Sequence, residues 1–292
     1  MAIGPDRFDR FACFDWSGQN VAHPRGIALA IAGRTGPPRL VPRRWSRGEV
    51  LDWLRDVAAA RKPMLIGLDL SPGFPFVDDG AYFPEWAASP PDAKALWKLV
   101  DDLSDADPHL AAAGFVAHAE AGRYFRQHGD RRGDRFGAAG RGRLRVCETA
   151  QRDMKLSPSS CFNLVGAAQV GKSSLTGMRV LNRLDGAIPI WPFDPLPASG
   201  PVIVEIYTTI AARAADPRGG SSKLRTGAAL DKSLVALGSP AHDPLDRYDD
   251  HATDALLTAA WLRSVADRPA LWSPAALTPA ITATEGWTFG VA

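Results

Sequence analysis

Short apolar runs separated by turn-forming residues recur along the chain and predict its strands. The first three runs lie close together in the sequence, so we expect them to form an antiparallel meander. Pro42 in the third run cannot donate a ladder hydrogen bond, which places that strand at an edge of the sheet. The fourth run, PMLIGLDL, is apolar almost throughout, as is typical of a strand buried on both faces. The predicted strands are residues 11–14, 26–32, 39–45, 63–70 and 201–207.

Helical spacing of apolar residues marks the segments between and after these strands. Ser46 is placed to cap the helix SRGEVLDWLRDVAAAR, in which apolar residues recur at intervals of three and four. The tail, ATEGWTFGV, is predicted as a last strand. Strands interspersed with helices in this way predict an α/β fold. Further helices are predicted in SLTGMRVLNRL, TGAALDKSLVALG and DHATDALLTAAWLRSVAD.

Residues from about 74 to 158 lack this regularity. They contain a helix-like segment, DAKALWKLVDDL, followed by a stretch rich in glycine and arginine. We interpret the region as a largely helical, arginine-rich insertion within a single domain that spans residues 1–292. A chain of this length can bury a sizeable core.

Composition narrows the class of protein without identifying a partner. Apolar residues make up 46% and charged residues 23%, a globular balance that excludes wholesale disorder, and the formal net charge is only +2. The three cysteines form no CxxC pair, so neither a disulfide framework nor a zinc ribbon is indicated. The N-terminal residues do not resemble a secretory signal, and no stretch is apolar enough to span a bilayer. These features predict a cytoplasmic protein.

Acidic residues stand at several positions where burial disfavours a charge. An isolated carboxylate in an apolar strand is costly, so each needs a cationic partner or a metal ion. Two of the acids lie four residues apart on one helix face, about 5–6 Å apart at Cβ. The residues concerned are Asp15 and Asp69 at strand ends, Glu205 within VIVEIY, and Asp250 and Asp254 at the start of the last long helix.

Convergence of these acids would create a cation site. Four carboxylates in one cleft are tolerable only with divalent cations, and ligands that are all oxygen favour Mg²⁺ or Mn²⁺. Taken singly, Asp250 can instead cap its helix and Asp69 can close a turn. Their joint occurrence at the ends of core elements favours a site. The predicted catalytic residues are Asp15, Asp69, Glu205 and Asp254, and the predicted metal ligands are the same four with Asp250.

Several motifs occur in an order that resembles a known family. The chain contains CFDWSG, LIGLDLSPGFP, IWPFDP followed by VIVEIYT, DDHATDALLTAAWL and the closing EGWTFGV. Together they resemble an uncharacterised bacterial family of predicted nucleases with an RNase H-like fold. The resemblance implies an antiparallel three-strand meander that continues into parallel strands, flanked by helices. It also implies that Asp15 is the first-strand acid of the site and that Glu205 and Asp254 are later ones.

The resemblance implies a nuclease that hydrolyses phosphodiester bonds of DNA or RNA by a two-metal mechanism. Two Mg²⁺ ions about 3.5–4 Å apart would activate a water molecule and stabilise the leaving oxygen. Asp15 is the natural bridging ligand, and His251 either assists proton transfer or is an ordinary helix residue. Two other classes stay open. One is an NTP-binding enzyme, including an actin-like use of DWSG and DLSPG on phosphates, and the other is a non-catalytic protein that binds a nucleic acid or another protein.

The segment GAAQVGKS, residues 166–173, fits the phosphate-loop pattern G-x-x-x-x-G-K-[ST] in full. A functional loop would place Lys172 on phosphate oxygens and Ser173 on Mg²⁺. Only about 120 residues follow, however, and the next apolar strand carries Glu205 where a Walker B strand usually carries Asp. A glycine-rich turn, or a contact of Lys172 with a substrate phosphate, is therefore the preferred interpretation.

A basic segment lies within the insertion. Between residues 123 and 145, eight arginines against two aspartates give a local charge of +6. Interspersed glycines and aromatic residues suit a flexible segment that follows a phosphate backbone, although a solvated loop fits the same composition. The predicted nucleic-acid contacts are Arg131, Arg132, Arg141, Arg143 and Lys172.

Overall fold

A mixed sheet of six strands forms the centre of the computed structural model, which describes residues 4, 6–129, 131–137, 142–166, 169–217 and 223–292. The strands are β1 (Arg10–Asp15), β2 (Ala28–Gly33), β3 (Arg39–Leu40), β4 (Met64–Leu68), β5 (Ile190–Trp191) and β6 (Val202–Glu205). Their spatial order is β3-β2-β1-β4-β6-β5. The first three strands pair antiparallel, whereas β1, β4, β6 and β5 run parallel. The predicted α/β class, with an antiparallel meander joined to parallel strands, is confirmed.

Helices cover both faces of this sheet. Ser46 caps the first of them as predicted, because its hydroxyl accepts from the Glu49 N–H and the Glu49 carboxylate accepts from the Ser46 N–H at 2.8 Å. No helix among the described residues is long and apolar enough to cross a membrane. The helices are α1 (Arg47–Ala59), α2 (Ala93–Leu103), α3 (Ala113–Ala117), α4 (Val146–Asp153), α5 (Val170–Leu184), α6 (Thr208–Ala215), α7 (Gly227–Ala236), α8 (Asp250–Val265), α9 (Pro269–Trp272) and α10 (Pro279–Ala283).

The pleat of the strands divides the core between the two faces of the sheet. Ala12 and Phe14 of β1 join the core beneath α1, α2 and α5, the side that we call the α5 face. Phe11 and Cys13, which alternate with them, join the core beneath α6, α7 and α8, the side that we call the α8 face. All residues of β4 are buried, as predicted for a strand covered on both faces. The parity of a strand residue therefore determines which helices its side chain can meet.

The third strand is shorter than the sequence predicts. It covers Arg39–Leu40 rather than residues 39–45, and it lies at the outer edge of the sheet, as expected from Pro42. Val41 still donates its N–H to the Leu29 carbonyl at 2.8 Å, and the pairing ends there. An edge strand tolerates a proline at its end because one side of the strand has no ladder partner to lose.

The tail of the chain is not the strand that the sequence predicts. Pro279–Ala283 forms α10, and Thr288 makes a single bridge to Glu205 of β6. The prediction was wrong because Gly286 and Gly290 adopt φ values of 68° and 100°, which interrupt an extended ladder.

Most of the insertion packs onto the α5 face, whereas Cys147 and Leu156 near its end join the core of the α8 face. In the described part of residues 74–158, helices α2, α3 and α4 supply the regular structure with two short 3-10 turns, and the sheet gains no strand from it. Aromatic side chains carry the insertion into the core. Phe83 and Phe115 lie with ring centroids 5.9 Å apart, and Phe125 and Phe162 lie 5.3 Å apart. This segment is therefore joined to the body by buried apolar contacts.

A buried ion pair also joins the insertion to α5. Asp101 of α2 accepts from Arg179 Nε at 2.8 Å and from Arg183 Nε at 3.0 Å. Burial alone would raise the pKa of Asp101, but the hydrogen bonds from Arg183, Arg179 and Asn182 outweigh it and hold this pKa below its ordinary value. Because the folded pKa is depressed, the carboxylate stabilises the fold above the unfolded pKa of about 3.9. That contribution is lost as the pH falls through the folded pKa.

We expect Asp101→Asn to lower the free energy of unfolding by about 3 kcal/mol at pH 7, because it leaves the buried Arg179 without its anion. The difference from the wild type should shrink as the pH falls below about 3.9. Urea unfolding at a series of pH values measures both effects. Asp102→Asn on the same helix is the control, since its exposed pair with Lys98 contributes less than about 0.5 kcal/mol. Equal effects of the two substitutions at pH 7 would contradict the prediction.

Candidate active site

Asp15 and Asp69 lie side by side at the carboxyl ends of two parallel strands. β1 and β4 pair with Phe14 opposite Leu68, so the next residues, Asp15 and Asp69, are also neighbours. The Asp69 N–H donates to the Phe14 carbonyl at 3.0 Å, which extends the ladder to this point. Phe14 and Leu68 project to the α5 face, and the residues after them therefore project to the α8 face. Two predicted acids are thus brought together.

Helix α8 adds a third acid and a histidine. It packs across β1 and β2, and Asp249 caps its N-terminus by accepting from the Ala252 N–H at 3.0 Å. His251 Nδ1 lies 2.5 Å from Asp15 Oδ2. Asp254, one turn further along α8, is 18% exposed and lies close enough to Asp15 for their charges to interact. The predicted convergence therefore holds for the three aspartates.

The pKa values reflect this concentration of negative charge. Burial raises the pKa of Asp69 well above its ordinary value, and the charge of Asp15, a hydrogen bond between the two carboxyls and the charge of Asp254 raise it further. Burial also raises the pKa of Asp254, against the opposing charge of Lys223. Beneath them, burial and then the same three carboxylates raise the pKa of the Cys13 thiol well above its usual range. The group therefore favours a shared proton or a bound cation.

Two cations that precede α7 stand next to these acids. Lys223 Nζ lies 3.0 Å from Asp254 Oδ2 and 3.8 Å from Asp250 Oδ2, and Arg225 Nη2 lies 3.2 Å from Asp250 Oδ1. Asp250, a predicted metal ligand, is thus paired with Lys223 and Arg225. Sequence reasoning missed both cations, because nothing in KLRT distinguishes them from ordinary surface charges.

Glu205 lies on the opposite face of the sheet. It stands opposite Leu68, not Asp69, in the pairing of β4 with β6, so its parity directs it to the α5 face. Arg145 Nη1 and Nη2 donate to its two carboxylate oxygens at 2.8 and 2.5 Å, and Thr288 Oγ1 donates to it at 2.7 Å. The structure therefore engages this predicted ligand with an arginine and does not bring it into the group of aspartates.

Arg145 is the centre of a buried network on that face. Its side chain is fully buried, and besides Glu205 it donates to Glu148 at 3.0 Å and to Ser71 at 3.1 Å. Glu148 accepts in turn from Cys161 Sγ at 3.3 Å. Besides Glu205 in its apolar strand, the sequence signal for this network is an Arg and a Glu three residues apart at the start of α4, which does not indicate burial.

Glu285 completes the network and was also missed. Its carboxylate accepts from the N–H groups of Phe76, Val77 and Val146 at 2.7, 2.9 and 2.7 Å. The residue is 1% exposed, and its backbone carbonyl accepts from Arg145 Nη1 at 3.0 Å. Glu285 thereby ties the start of the insertion and the start of α4 to the tail of the chain.

A cleft of about 500 Å³ runs along both groups of charged residues. Asp69 and His251 line it from the aspartate group, and Arg145, Glu148 and Glu205 line it from the buried network. The turn after β1 and the first turn of α5 complete the walls with Ser17, Gly18, Lys172 and Ser173. The cleft therefore carries both signs of charge.

Lys172 and Ser173 come from the segment that resembles a phosphate loop. α5 begins at Val170, so both residues occupy its first turn, and residues 167 and 168 of the segment lie outside the described residues. A Cβ on Gly18 would stand 2.4 Å from the carbonyl carbon of Lys172, so a glycine is needed where the turn after β1 meets α5. The first turn of α5 therefore packs against the turn that follows β1.

The residues before this segment do not form the strand that precedes an NTPase phosphate loop. In FNLV, Asn163 makes an isolated bridge with Arg126, outside the six-stranded sheet. NTPase loops join a sheet strand directly to a helix. Within the described residues, the pattern match is therefore not accompanied by the expected strand.

The arginines of the insertion are largely engaged with acids. Arg143 pairs with Asp78 and Asp79 and donates to the Tyr82 carbonyl at 2.9 Å, which places this predicted nucleic-acid contact in a structural role. The +6 segment therefore exposes much less positive charge than its composition suggests. The other ion pairs of this kind are Arg123 with Glu120 and Asp134, Arg135 with Glu85, and Arg145 with Glu148 and Glu205.

Other predicted contacts border a second cleft, of about 880 Å³. Arg131 and Arg132 are exposed and line it together with Lys172. Lys172 Nζ lies 2.9 Å from Gln169 Oε1 and 3.2 Å from His128 Nε2. Because Lys172 lines both clefts, the two adjoin there. Arg141, the remaining predicted contact, lies outside the described residues.

Comparisons of the chain with protein-family models, curated proteins and solved structures give no match. Membership of the family of predicted nucleases, which the motifs suggest, therefore stays a prediction. Within the described part of the chain, no three His, Cys, Asp or Glu side chains already stand in position to hold a metal ion together. The aspartate group and the clefts beside it are the features of the molecule that bear on its function.

Proposed function

We propose that this protein hydrolyses phosphodiester bonds of a nucleic acid with bound Mg²⁺ or Mn²⁺. The observation that carries the proposal is the meeting of Asp15, Asp69 and Asp254 at the carboxyl ends of β1 and β4, beneath α8. Ligand sites of open α/β sheets form outside the carboxyl ends of the strands. Carboxylate oxygens are the ligands that these hard cations prefer. Repulsion among the three carboxylates is relieved when a divalent cation replaces a proton.

The order of the strands supports an RNase H-like assignment of the fold. Three antiparallel strands lead into three parallel ones, and β1 has neighbours on both sides. This is the arrangement that the resemblance implies. Asp15 at the end of β1 then holds the position of the first-strand acid.

The donor set suits the proposed cation, although the side chains must shift to bind it. His251 is hydrogen-bonded to Asp15 Oδ2, and Lys223 donates a hydrogen bond to Asp254 Oδ2. Asp15, Asp69 and Asp254 would hold the cation once these contacts open. The cation would supply activation of water and stabilisation of the leaving oxygen.

The remaining charged residues take supporting roles in this proposal. His251 contacts Asp15 and lines the cleft, where its imidazole can exchange a proton with the scissile group. Asp250 holds Lys223 and Arg225 beside the acids. Glu205, with Arg145, positions the insertion against β6 and is not assigned as a ligand.

The test is cleavage of labelled single-stranded DNA, single-stranded RNA and duplex DNA by the purified protein in Mg²⁺ or Mn²⁺, with EDTA as the blank. We expect cleavage of at least one substrate in the presence of the cation and none in EDTA. Binding of all substrates without cleavage would favour the non-catalytic alternative. Tight ATP binding that Lys172→Ala abolishes, without any cleavage, would favour a nucleotide-binding enzyme.

Cation binding has its own readout in the stability of the protein. Without divalent cations, we expect Asp69→Asn to unfold at a higher temperature than the wild type, because the amide removes repulsion with Asp15 and Asp254. Mn²⁺ at about 100 times its Kd should stabilise the wild type by about 2.7 kcal/mol and the variant much less. Thermal unfolding in EDTA and in MnCl₂ measures the difference, with Asp56→Asn on α1 as the control. The same Mn²⁺ response in wild type and Asp69→Asn would count against the site.

A further inference from the structure

A third depression, also of about 500 Å³, lies on the other side of His251 from the cleft that contains Asp69. It is bounded by the turn before β2, by the residues after β3 and by the N-terminus of α8. We call it the arginine groove, because five arginines line it: Arg25, Arg43, Arg44, Arg225 and Arg247. These arginines come from four separate segments of the chain, and all five are exposed.

Positive charge prevails in this groove. Arg43 pairs with Glu49 and lies over the Trp45 ring, with its guanidinium carbon 4.4 Å from the ring centroid. Arg225 pairs with Asp250. Among the described residues, no carboxylate lies within ion-pair distance of the remaining three arginines, Arg25, Arg44 and Arg247. Their guanidinium groups are therefore available to an anionic ligand.

The acids that line the groove are already engaged. Asp249 caps α8 through the Ala252 N–H at 3.0 Å, and Asp250 pairs with Arg225 at 3.2 Å. Neither acid offsets Arg25, Arg44 or Arg247. The groove thus keeps a net positive charge beside a group of aspartates, and so differs in sign from the site that it borders.

His251 connects the groove to the aspartates. Its side chain lines both the groove and the cleft that contains Asp69. A Cβ on Gly26 would stand 3.0 Å from His251 Cε1, so the turn that carries Arg25 lies directly against the imidazole. A chain of phosphates lying in the groove would therefore pass His251 on its way to Asp15.

We propose that the arginine groove binds the phosphate backbone of a nucleic-acid strand and leads it across His251 to the aspartates. This inference rests on the proposed hydrolysis and adds where the strand lies. Arginine matches phosphate with a planar set of donors, and several such residues in a row suit a polymer better than a single small anion. On the far side of the cleft, Lys172, Arg131 and Arg132 extend the same path.

The test is binding of a fluorescein-labelled single strand of about 16 nucleotides, as DNA and as RNA, measured by fluorescence anisotropy in EDTA. The groove variant combines Arg25→Gln, Arg44→Gln and Arg247→Gln. We expect it to bind at least about tenfold more weakly than the wild type at about 50 mM salt. The slope of log K against log salt should fall by about 2, since each phosphate contact of a single strand contributes about 0.7.

A second triple variant, Arg10→Gln, Arg61→Gln and Arg268→Gln, loses the same charge elsewhere and is the control. Arg10 begins β1 and Arg61 precedes β4, so both lie at the end of the sheet away from Asp15, roughly 17 Å along the strand. Arg268 lies past the far end of α8, roughly 24 Å from its start. All three are exposed. Thermal unfolding checks that both variants fold, and lysine in place of glutamine in the groove should retain most of the salt slope.

The possible outcomes distinguish failure of the proposed groove from failure of the proposed hydrolysis. Absence of binding by the wild type, or equal weakening by both triple variants, overturns the groove whatever the cleavage assay shows. Loss of binding in the groove variant alone supports the groove, even if the wild type cleaves nothing and the proposed hydrolysis fails. If the groove variant cleaves and binds as well as the wild type, the strand lies elsewhere. That result would overturn the groove but not the proposed hydrolysis.

Discussion

Asp15→Asn is expected to lower metal-dependent cleavage by about 10³-fold or more, equivalent to about 4 kcal/mol of transition-state stabilisation. Asp15 interacts with both other aspartates and also contacts His251. The amide keeps the shape of the side chain but loses the charge that would hold a divalent cation. Because the substitution also relieves repulsion with Asp69, the variant should remain folded.

Single-turnover cleavage of the best substrate measures this loss, with thermal unfolding in EDTA to confirm folding. Asp56→Asn, an exposed substitution on α1, is the matched control and should cleave at the wild-type rate. Binding in EDTA should change little in Asp15→Asn, because the arginine groove is unaltered. A folded Asp15→Asn protein that cleaves within about threefold of the wild type would remove Asp15 from the site.

Arg145→Met is expected to lower the free energy of unfolding by about 3–5 kcal/mol, the largest effect on stability that we predict. Arg145 supplies the cation for both Glu205 and Glu148, and all three side chains are almost completely buried. Methionine fills part of the volume but leaves two carboxylates in the core without a cation to balance their charge. Since these contacts join α4 to β6 and to the tail, the loss should affect the whole domain.

Urea unfolding measures the loss as a lower midpoint at unchanged m-value. Arg152→Met on the same helix is the matched control, because Arg152 is exposed and its loss should change stability by less than about 0.5 kcal/mol. Adding Glu205→Gln to Arg145→Met should recover part of the stability, since it removes one of the unpaired charges. A change of less than about 1 kcal/mol in Arg145→Met would show that the network does not stabilise the fold.

The strands β1 and β4 and the acids at their carboxyl ends show which features the local sequence pattern can predict. The apolar runs around Phe14 and Leu68 predict β1 and β4, because strand formation there depends on residues adjacent in the sequence. The same pattern places Asp15 and Asp69 at strand ends. It does not reveal that Glu205 is out of phase with Asp69, because that follows from the register between β4 and β6. Three of the four predicted catalytic acids therefore meet, and the fourth, Glu205, lies across the sheet.

The basic residues show the opposite case. Counting arginines in residues 123–145 predicts a positively charged arm. Several of these arginines pair with acids instead, and Arg135, Arg143 and Arg145 do so with acids from other parts of the chain. The arginine groove is assembled from four segments, none of which is basic enough by itself to stand out. Charge composition is local, whereas neutralisation depends on which segments come together.

Periodicity and turn chemistry were thus sufficient to predict most of the helices and strands and the edge position of the third strand. They also placed acids at the carboxyl ends of β1 and β4 and at the start of α8. Pairing register, helix docking and the partners of each buried charge were decided by tertiary packing. The physical reason is one of range. Hydrophobic alternation acts over a few residues, whereas Arg145 reaches Glu205 across 60 positions and His251 reaches Asp15 across 236. Only the packed sheet, with its fixed parity, brings such residues to the same face or keeps them apart.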